Sequence, residues 1–224
     1  MGKDGPGPAG RDGAGEGSAA VRIRPALAMD APYFYEICLK TGDAGADASG
    51  LFSDPFLLGH YFAAPYLFFP GGLCFAADYH FRPRGYIVAV PDTAAFNRWM
   101  EETWLPPLRR RYSPPFPPER FRSEAEGRLL ETIRGSHLPP EAPDPRLAAY
   151  PAHLHIDLLP EIQGRGAGRR LMDTLFAELI RRGVPGVHLG VGAENTGALA
   201  FYRKLGFSAL REEPWGPVLG KALR

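Results

Sequence analysis

Apolar residues recur along the chain with two different periods, and together they predict a protein that mixes helices and strands. Alternating or short continuous apolar runs predict strands over residues 21–24, 73–77, 85–90, 153–158, 187–191, 207–212 and 217–223. Helical spacing is clearest where Leu171, Leu175 and Leu179 recur at every fourth position before Gly183. We expect further helices after Asp30, which can cap the first of them, and over residues 56–66, 93–111, 118–134 and 196–205. The strand, helix, strand order in the last third predicts one parallel pair of strands.

Composition divides the chain into a tail and one domain. Residues 1–19 are mostly Gly, Ala, Asp and Pro, with no aromatic or β-branched residue. Such a segment buries too little apolar surface to offset its ordering entropy, so we expect a flexible tail. Residues 20–224 are expected to form a single domain. Within this domain, we predict that residues 91–150 form a helical insertion, which contains proline clusters at 114–118 and 139–145.

Charge and cysteine content restrict the partners and the compartment. The 26 Lys and Arg residues nearly balance the 25 Asp and Glu residues, which indicates neither nucleic acid nor an anionic membrane as a partner. No apolar run approaches the roughly 20 residues of a spanning helix, and the N-terminus lacks the apolar core of a signal peptide. Cys38 and Cys74 lie among apolar neighbours, which favours buried, reduced thiols over a disulfide. We therefore expect a cytoplasmic monomer or homodimer.

A glycine-rich loop joins a predicted strand to a predicted helix and comprises Gln163, Gly164, Arg165, Gly166, Ala167 and Gly168. Backbone N–H groups at such a junction converge on one point, and the helix dipole favours negative charge there. A P-loop requires Gly-Lys followed by Ser or Thr, and a dinucleotide fingerprint requires glycine where this chain has Arg169. The pattern that fits is Gln/Arg-x-x-Gly-x-Gly/Ala, through Gln163, Gly166 and Gly168.

Three arginines surround this loop: Arg165, Arg169 and Arg170. Cations in the first turn of a helix oppose its dipole, and a bound anion would resolve that conflict. The loop is therefore predicted to hold a pyrophosphate. The alternatives are a tight turn without a ligand and a solvated first turn.

A second motif follows one strand later and reads Asn195-x-x-Ala198-x-x-Phe201-Tyr202-x-Lys204-x-Gly206-Phe207. Together the two segments resemble motifs A and B of the GCN5-related N-acetyltransferase (GNAT) superfamily, over about Val21 to Arg224. The resemblance implies an α/β fold with a mixed, mostly antiparallel sheet, in which two parallel strands splay apart at the cofactor cleft. It also implies acetyl-CoA as cofactor, no metal, and acetyl transfer to an amine of a small molecule or a lysine side chain.

A narrower resemblance concerns Ile37-Cys38 with the segment Thr41–Asp47, Trp104-Leu105-Pro106, and Ile156-Asp157. These look like parts of the C-terminal acetyltransferase-like domain of eukaryotic O-GlcNAcases. In that branch the glycine loop is degenerate, whereas here it is intact. Two interpretations stay open, an enzyme and a non-catalytic module that keeps the fold for binding.

The superfamily resemblance implies a role for each residue of the cleft. The backbone of Leu158 and Leu159 would hold the pantetheine arm and the thioester carbonyl, and N–H donors aimed at that carbonyl would stabilise an oxyanion. Asn195 would cap its helix, contact the pantetheine, or both. Tyr202 would protonate the leaving thiolate, or would be a packed aromatic residue beside Phe201.

The general base is predicted from the strand itself. Asp157 lies within an apolar strand, where burial raises the pKa of a carboxyl group toward a useful range. Its alternative is a structural partner for an arginine or a backbone N–H. His153 and His155 share its face by alternation unless a bulge interrupts the strand, and His155 is a candidate substrate contact.

Two further carboxylates and the insertion are candidates for the acceptor site. Asp43 and Asp47 lie in a glycine-rich loop and could together bind a cationic substrate, although a solvated loop is the alternative. Residues 91–150 are expected to roof the acceptor site.

Overall fold

The computed structural model describes residues 20–113, 121–135 and 144–223. The expected tail, residues 1–19, lies outside the described residues, as does most of both proline clusters. Within the described ranges, a seven-stranded sheet carries helices on both faces. This is the mixed α/β architecture that the apolar periods predict.

The strands follow the predicted runs closely: β1 Arg22–Pro25, β2 Leu73–Tyr79, β3 Arg82–Val90, β4 Ala152–Leu158, β5 Gly186–Gly190, β6 Ser208–Glu213 and β7 Gly216–Ala222. Their order in the sheet is β1-β2-β3-β4-β5-β7-β6. Strands β4 and β5 run parallel, and every other neighbouring pair runs antiparallel. The predicted mixed, mostly antiparallel sheet is confirmed.

The helices are α1 Ala31–Thr41, α2 Leu57–Phe62, α3 Ala64–Phe68, α4 Thr93–Trp99, α5 Leu105–Arg111, α6 Glu124–Arg134, α7 Ala167–Arg181 and α8 Thr196–Lys204. The helix predicted over residues 56–66 is two helices, because Pro65 has no N–H with which to continue the first. A π-helical turn, Met100–Trp104, connects α4 to α5 within the helix predicted over residues 93–111. The helix predicted from residue 118 begins later, where Ser123 Oγ accepts from Glu126 N at 3.1 Å.

Asp30 does not cap α1 with its side chain, contrary to prediction. Its buried carboxylate accepts two hydrogen bonds from the Arg24 guanidinium, at 2.7 and 2.8 Å, and one from Leu27 N at 2.7 Å. The guanidinium holds the pKa of Asp30 below its usual range. A bidentate charged pair is stronger than a helix cap, so the tertiary contact determines the position of the carboxylate.

Each face of the sheet has its own core. On the α1 face, helices α1 to α6 pack against Tyr86, Val88 and Val90 of β3. On the α7 face, helix α7 packs against Ile87 and Leu154 of the central strands. Strands β3 and β4 pair without a shift in register, so no bulge interrupts the alternation of β4. His153, His155 and Asp157 therefore lie together on the α1 face.

The two parallel strands separate soon after they meet. Strand β4 pairs with β5 only at Ala152–Val187 and His153–His188. Beyond these positions the strands diverge toward their carboxyl ends, as the resemblance implied. Backbone groups on that side of β4 consequently face an opening rather than a neighbouring strand.

Two further observations concern the helices and the cysteines. No helix in the described part of the chain is long and apolar enough to span a membrane. Cys38 and Cys74 are free thiols; Cys38 is buried as predicted, whereas Cys74 is half-buried.

Candidate active site

A cleft of about 1090 Å³ opens where β4 and β5 separate. The glycine loop and the first turns of α7 and α8 line it from the α7 face, and α1, the loop after α1 and α2 line it from the α1 face. Most of the predicted site residues line it: His155, Asp157, Leu158, Gln163, Gly164, Gly166, Ala167, Gly168, Arg169, Asn195 and Tyr202. Four predicted residues do not line it: Asp43, Asp47, Leu159 and Arg165.

The glycine loop presents the start of α7 to the cleft. Gly164 and Gly166 have φ of +70° and +74°, a left-handed conformation that glycine adopts without strain. Gly166 is the N-cap residue of α7, and no side chain caps this end of the helix. The first N–H groups of α7 therefore have no partner within the helix, and the positive end of its dipole faces the cleft. This is the chemistry of a site for a phosphate or pyrophosphate.

Two contacts fix the loop against β4. Gln163 Nε2 donates to the Leu158 carbonyl oxygen at 2.8 Å. A β-carbon on Gly168 would lie 3.1 Å from Leu158 Cδ1 and 3.3 Å from Phe201 Cζ. The first turn of α7 thus packs directly on the strand that borders the cleft.

The three arginines around the loop differ in orientation. Arg169 lines the cleft and pairs with Asp173 at 2.9 Å. Arg165 lies over the Tyr79 ring at 5.1 Å and donates from Nε to a backbone carbonyl. Arg170 donates to the Val21 carbonyl at 2.7 Å. The prediction of three cations around a pyrophosphate is therefore corrected to one cation, Arg169, in the lining of the cleft.

The backbone of β4 offers donors at positions different from those predicted. Leu159 N donates to the Arg84 carbonyl at 2.8 Å, and the Leu159 carbonyl accepts from Ile162 N at 3.1 Å. Leu159 is thus engaged away from the cleft, and the prediction for its backbone is corrected. Because backbone groups alternate sides along an antiparallel strand, those of Ile156 and Leu158 point toward the diverging β5. Ile156 replaces Leu159 as a donor to the cleft.

Asp157 is a half-buried carboxylate, and none of the ion pairs among the described residues includes it. The Tyr86 hydroxyl donates to its Oδ2 at 2.5 Å, while the nearby Thr41 hydroxyl donates to the Ile37 carbonyl at 2.8 Å. Burial raises the pKa of Asp157, and the hydrogen bond from Tyr86 opposes the rise. Tyr86 stacks on Phe34 with ring centroids 4.5 Å apart, which holds the donor in place.

The two histidines of β4 have different surroundings. Thr93 Oγ1 donates to the Pro151 carbonyl, so it accepts from His153 Nδ1 at 2.8 Å, while the Tyr66 hydroxyl donates to His153 Nε2 at 2.7 Å. Both nitrogens of His153 are thereby engaged, and its role is structural. His155 lines the cleft, and burial lowers its pKa to about 4, so its ring is neutral at physiological pH.

Tyr202 and Asn195 lie on α8, at the opposite wall of the cleft. Tyr202 is buried between Phe201 and Phe207, each with its ring centroid at 5.5 Å, and it also lines the cleft. Burial, with Asp157 as a smaller cause, raises the pKa of Tyr202, so its hydroxyl keeps its proton at neutral pH. Asn195 Oδ1 caps α8 by accepting from Ala198 N at 3.0 Å.

Asp43 and Asp47, the two other residues predicted for the acceptor site, lie outside the cleft lining. Asp47 pairs with Lys40 at 2.7 Å and accepts from Ser49 on the exposed side of its loop, and Asp43 is outside the lining as well. Helices α4 to α6 of this segment pack with α1 to α3, and residues 144–150 contact β5 and β6. No described residue of the segment lines the cleft. The expectation that this insertion roofs the acceptor site is therefore wrong for its described residues.

Several lining or supporting residues were not predicted: Tyr86, Cys38, Thr41, Phe62 and Trp215. Tyr86 reaches Asp157 only through the register of β3 against β4. Trp215 had a weak signal, since it stands between Pro and Gly in a predicted turn.

Comparison with known proteins agrees with this geometry. The sequence profile of the Acetyltransferase (GNAT) family matches residues 93–207. The mycothiol acetyltransferase of Cellulomonas flavigena is 38% identical over 105 residues, 45% of this chain and 30% of that protein. The ribosomal protein bS18-alanine N-acetyltransferase of Escherichia coli K12 is 45% identical over 49 residues, 22% of this chain and 33% of that protein. The chain thus spans about a third of the length of these curated relatives.

Solved structures extend the likeness over nearly the whole chain. The crystal structure of SsHAT superposes with a TM-score of 0.79 and 37% identity, covering 92% of this chain and 99% of that one. A PaiA N-acetyltransferase from Thermoplasma acidophilum, solved in complex with coenzyme A, has a TM-score of 0.56. It is 12% identical and covers 91% of this chain and 99% of its own, so it shows a shared fold.

Proposed function

Because the chain belongs to the acetyltransferase (GNAT) family, we propose that it is an N-acetyltransferase that moves an acetyl group from acetyl-CoA to an amine. Enzymes of this family use acetyl-CoA. The acceptor is the amine of a small molecule or of a lysine side chain. The observation that carries the proposal is one cleft in which an uncapped helix N-terminus meets a half-buried carboxylate and a buried tyrosine.

The residues of the cleft are suited to acetyl-CoA. The first N–H groups of α7, with Arg169, would hold the pyrophosphate. Ile156 and Leu158 would direct their N–H groups to the thioester carbonyl, where they stabilise developing negative charge. When bound, acetyl-CoA supplies the acetyl group as a thioester.

Asp157 is the proposed base. An amine in water is protonated at pH 7, and a carboxylate without a neighbouring cation both attracts the ammonium and accepts its proton. The raised pKa of Asp157 brings it closer to the operating pH than an ordinary carboxyl group. The hydrogen bond from Tyr86 keeps the carboxylate in one orientation and limits the rise in the pKa of Asp157, so that the ionised carboxylate remains populated.

Tyr202 is the proposed acid. Asp157 first takes one proton from the ammonium and releases it to solvent. As the N–C bond forms and the C–S bond breaks, Asp157 takes the second amine proton and the leaving thiolate takes the phenolic proton of Tyr202. Solvent then carries the proton on Asp157 to the Tyr202 phenolate, so that one proton is released to solvent for each acetyl group transferred. Because its pKa is raised, Tyr202 carries the required proton throughout the physiological range.

The alternative function is a non-catalytic module that uses the cleft for binding. Its motivation is the proposed likeness to the acetyltransferase-like domain of eukaryotic O-GlcNAcases, in which the glycine loop is degenerate. The intact loop and the uncapped start of α7 favour the enzyme over the module.

Calorimetry with acetyl-CoA and an assay for released thiol separate these functions. The enzyme is expected to bind acetyl-CoA saturably and to release coenzyme A when an amine panel is added. Saturable binding without turnover on any amine would support the module. The absence of measurable binding would contradict both the cofactor site and the enzyme.

A further inference from the structure

The half of the cleft on the α1 face is chemically distinct from the half that holds the glycine loop. We call it the acceptor half; its described lining residues on α1, α2 and β4 are Cys38, Thr41, Leu58, Phe62, His155 and Asp157. It lies across the splayed strands from the start of α7, where an incoming acceptor would meet the thioester. Its composition therefore bears on which amine is acetylated.

Trp215 belongs to the same half, on the wall opposite α2. Val187 and Leu189 of β5 lie in the core of the α7 face, so His188 and Gly190 point to the α1 face. The rings of His188 and His153 are 5.8 Å apart, which agrees with that assignment. Trp215 lies against Gly190 so closely that a β-carbon there would be 2.5 Å from the indole. The indole is 53% exposed and lines the cleft.

Charge in the acceptor half is limited to a single group. Among its described lining residues, Asp157 is the only carboxylate. His155 is neutral because burial lowers its pKa to about 4, and Cys38 is protonated because burial raises its pKa. Arg169 lies at the glycine loop, and Asp47 pairs with Lys40 outside the cleft. The half is therefore matched to an acceptor with one positive charge.

Aromatic rings line the acceptor half from two elements. Phe62 of α2 contacts His155 edge-on, with ring centroids 5.5 Å apart, and lines the cleft. Trp215 lines it from the turn between β6 and β7. Leu58 and Cys38 add apolar surface between α1 and α2. Such walls bind an apolar or aromatic body and an ammonium head together.

A tight turn bounds the cleft above α1. Asp43 N donates to the Ala46 carbonyl at 3.0 Å and Ala46 N donates back at 2.7 Å, which closes a two-residue turn at Ala44 and Gly45. The tip of the turn reaches α8, since a β-carbon on Gly45 would lie 3.7 Å from Asn195 Nδ2. The turn thus lines the cleft between α1 and the start of α8, and an extended peptide would have to pass it to reach Asp157.

We infer that the acceptor is a small primary amine with one positive charge on an aromatic body, an arylalkylamine. The inference rests on the proposed function, because it assigns the substrate class of the same site. The second ammonium of a polyamine would lie among apolar and neutral groups without a carboxylate to pair with it. A lysine on a folded protein would have to pass the Ala44–Gly45 turn.

Steady-state kinetics on the full chain test this class directly. With acetyl-CoA saturating, kcat/KM for phenethylamine or tryptamine is expected to exceed that for spermidine and for a blocked tripeptide with one central lysine by at least about tenfold. If spermidine or the tripeptide is acetylated as well as the arylalkylamines, the inference is wrong. It is also wrong if acetyl-CoA binds and neither arylalkylamine is acetylated. Failure to bind acetyl-CoA would instead overturn the proposed function, and the inference with it.

Substitutions of Phe62 and Trp215 test whether these two rings bind the aromatic body of the acceptor. Phe62→Ala and Trp215→Ala are each expected to raise KM for phenethylamine by about tenfold while KM for acetyl-CoA stays unchanged. Trp215→Asp, which adds a second carboxylate to the cleft lining, is expected to shift preference toward spermidine. Phe81→Ala is the matched control, since Phe81 is fully exposed at the β2–β3 hairpin and remote from the cleft lining. Equal effects of the control and the cleft variants would contradict the inference.

Discussion

The hydroxyl of Tyr86 lies 2.5 Å from Oδ2 of Asp157, and each residue is the other's direct partner across β3 and β4. The donor is buried and stacked on Phe34, while the acceptor lines the cleft. This pair connects the core of the α1 face to the proposed chemistry, because the tyrosine sets both the orientation and the ionisation of the carboxylate.

Tyr86→Phe is expected to shift the acid limb of the pH–rate profile to higher pH. The lost hydrogen bond stabilised the ionised carboxylate, so the pKa of Asp157 rises further and less of it is ionised at a given acidic pH. The variant should also lose about 1–2 kcal/mol of stability. The matched control is Tyr66→Phe, which removes a buried hydroxyl that bonds His153 instead. We expect Tyr66→Phe to lose a similar amount of stability without shifting the acid limb of the pH–rate profile. A shift of the acid limb in both variants would contradict the role of Tyr86.

Asp157→Asn is expected to abolish most transfer yet to stabilise the fold at neutral pH. Since the folded pKa of Asp157 lies above its ordinary value, the penalty for its ionisation is absent below about pH 4 and grows as pH rises through the raised pKa. Asparagine carries no such penalty. Urea unfolding at pH 8 and pH 4 should therefore show a stability gain over the unsubstituted protein that is larger at pH 8. An equal difference at both pH values would show that Asp157 is not perturbed by burial.

Gly166→Ala is expected to weaken acetyl-CoA binding by more than its effect on folding explains. Alanine at φ of +74° costs roughly 1–2 kcal/mol, and relief of that strain redirects the N–H groups at the start of α7. Gly183→Ala is the matched control at the other end of the helix, with φ of +72° and open space around the new methyl group. Calorimetry should find weaker binding only in Gly166→Ala. Unchanged affinity in both variants would remove the loop as the pyrophosphate site.

Tyr202→Phe is expected to lower kcat about a hundredfold with little change in the affinity for acetyl-CoA. The ring contacts with Phe201 and Phe207 are preserved, so the substitution removes the proton donor and leaves the packing. Affinity from calorimetry and kcat from thiol release are compared in the same preparation. A parallel loss of both quantities would indicate a packing role.

The sequence predicts those parts of the site that are local in the chain. The glycine loop and Asn195 combine a short motif with a helix start, and both can be recognised from consecutive residues. Tyr86 and Trp215 depend on strand register and on a turn that folds back over Gly190, so their contacts are set by tertiary structure. The sequence predicts local electrostatic roles for Arg170 and Asp30, but Arg170 binds the Val21 carbonyl and Asp30 binds the Arg24 guanidinium.

The position of the insertion also depends on tertiary structure. The sequence predicts its apolar helices, but not which part of the sheet these helices cover. Phe96 and Leu105 pack with the α1-face core rather than over the cleft, and the loop after α1 reaches Asn195 in their place. Which element covers a site is decided by the competition among apolar faces for one side of a sheet.

A crystal structure of the protein with acetyl-CoA tests the central claim most directly. We predict that the pyrophosphate accepts hydrogen bonds from the first N–H groups of α7, and that the thioester lies between β4 and β5 beside Asp157 and Tyr202. A cofactor bound outside this cleft, or a thioester beyond the reach of both side chains, would contradict it.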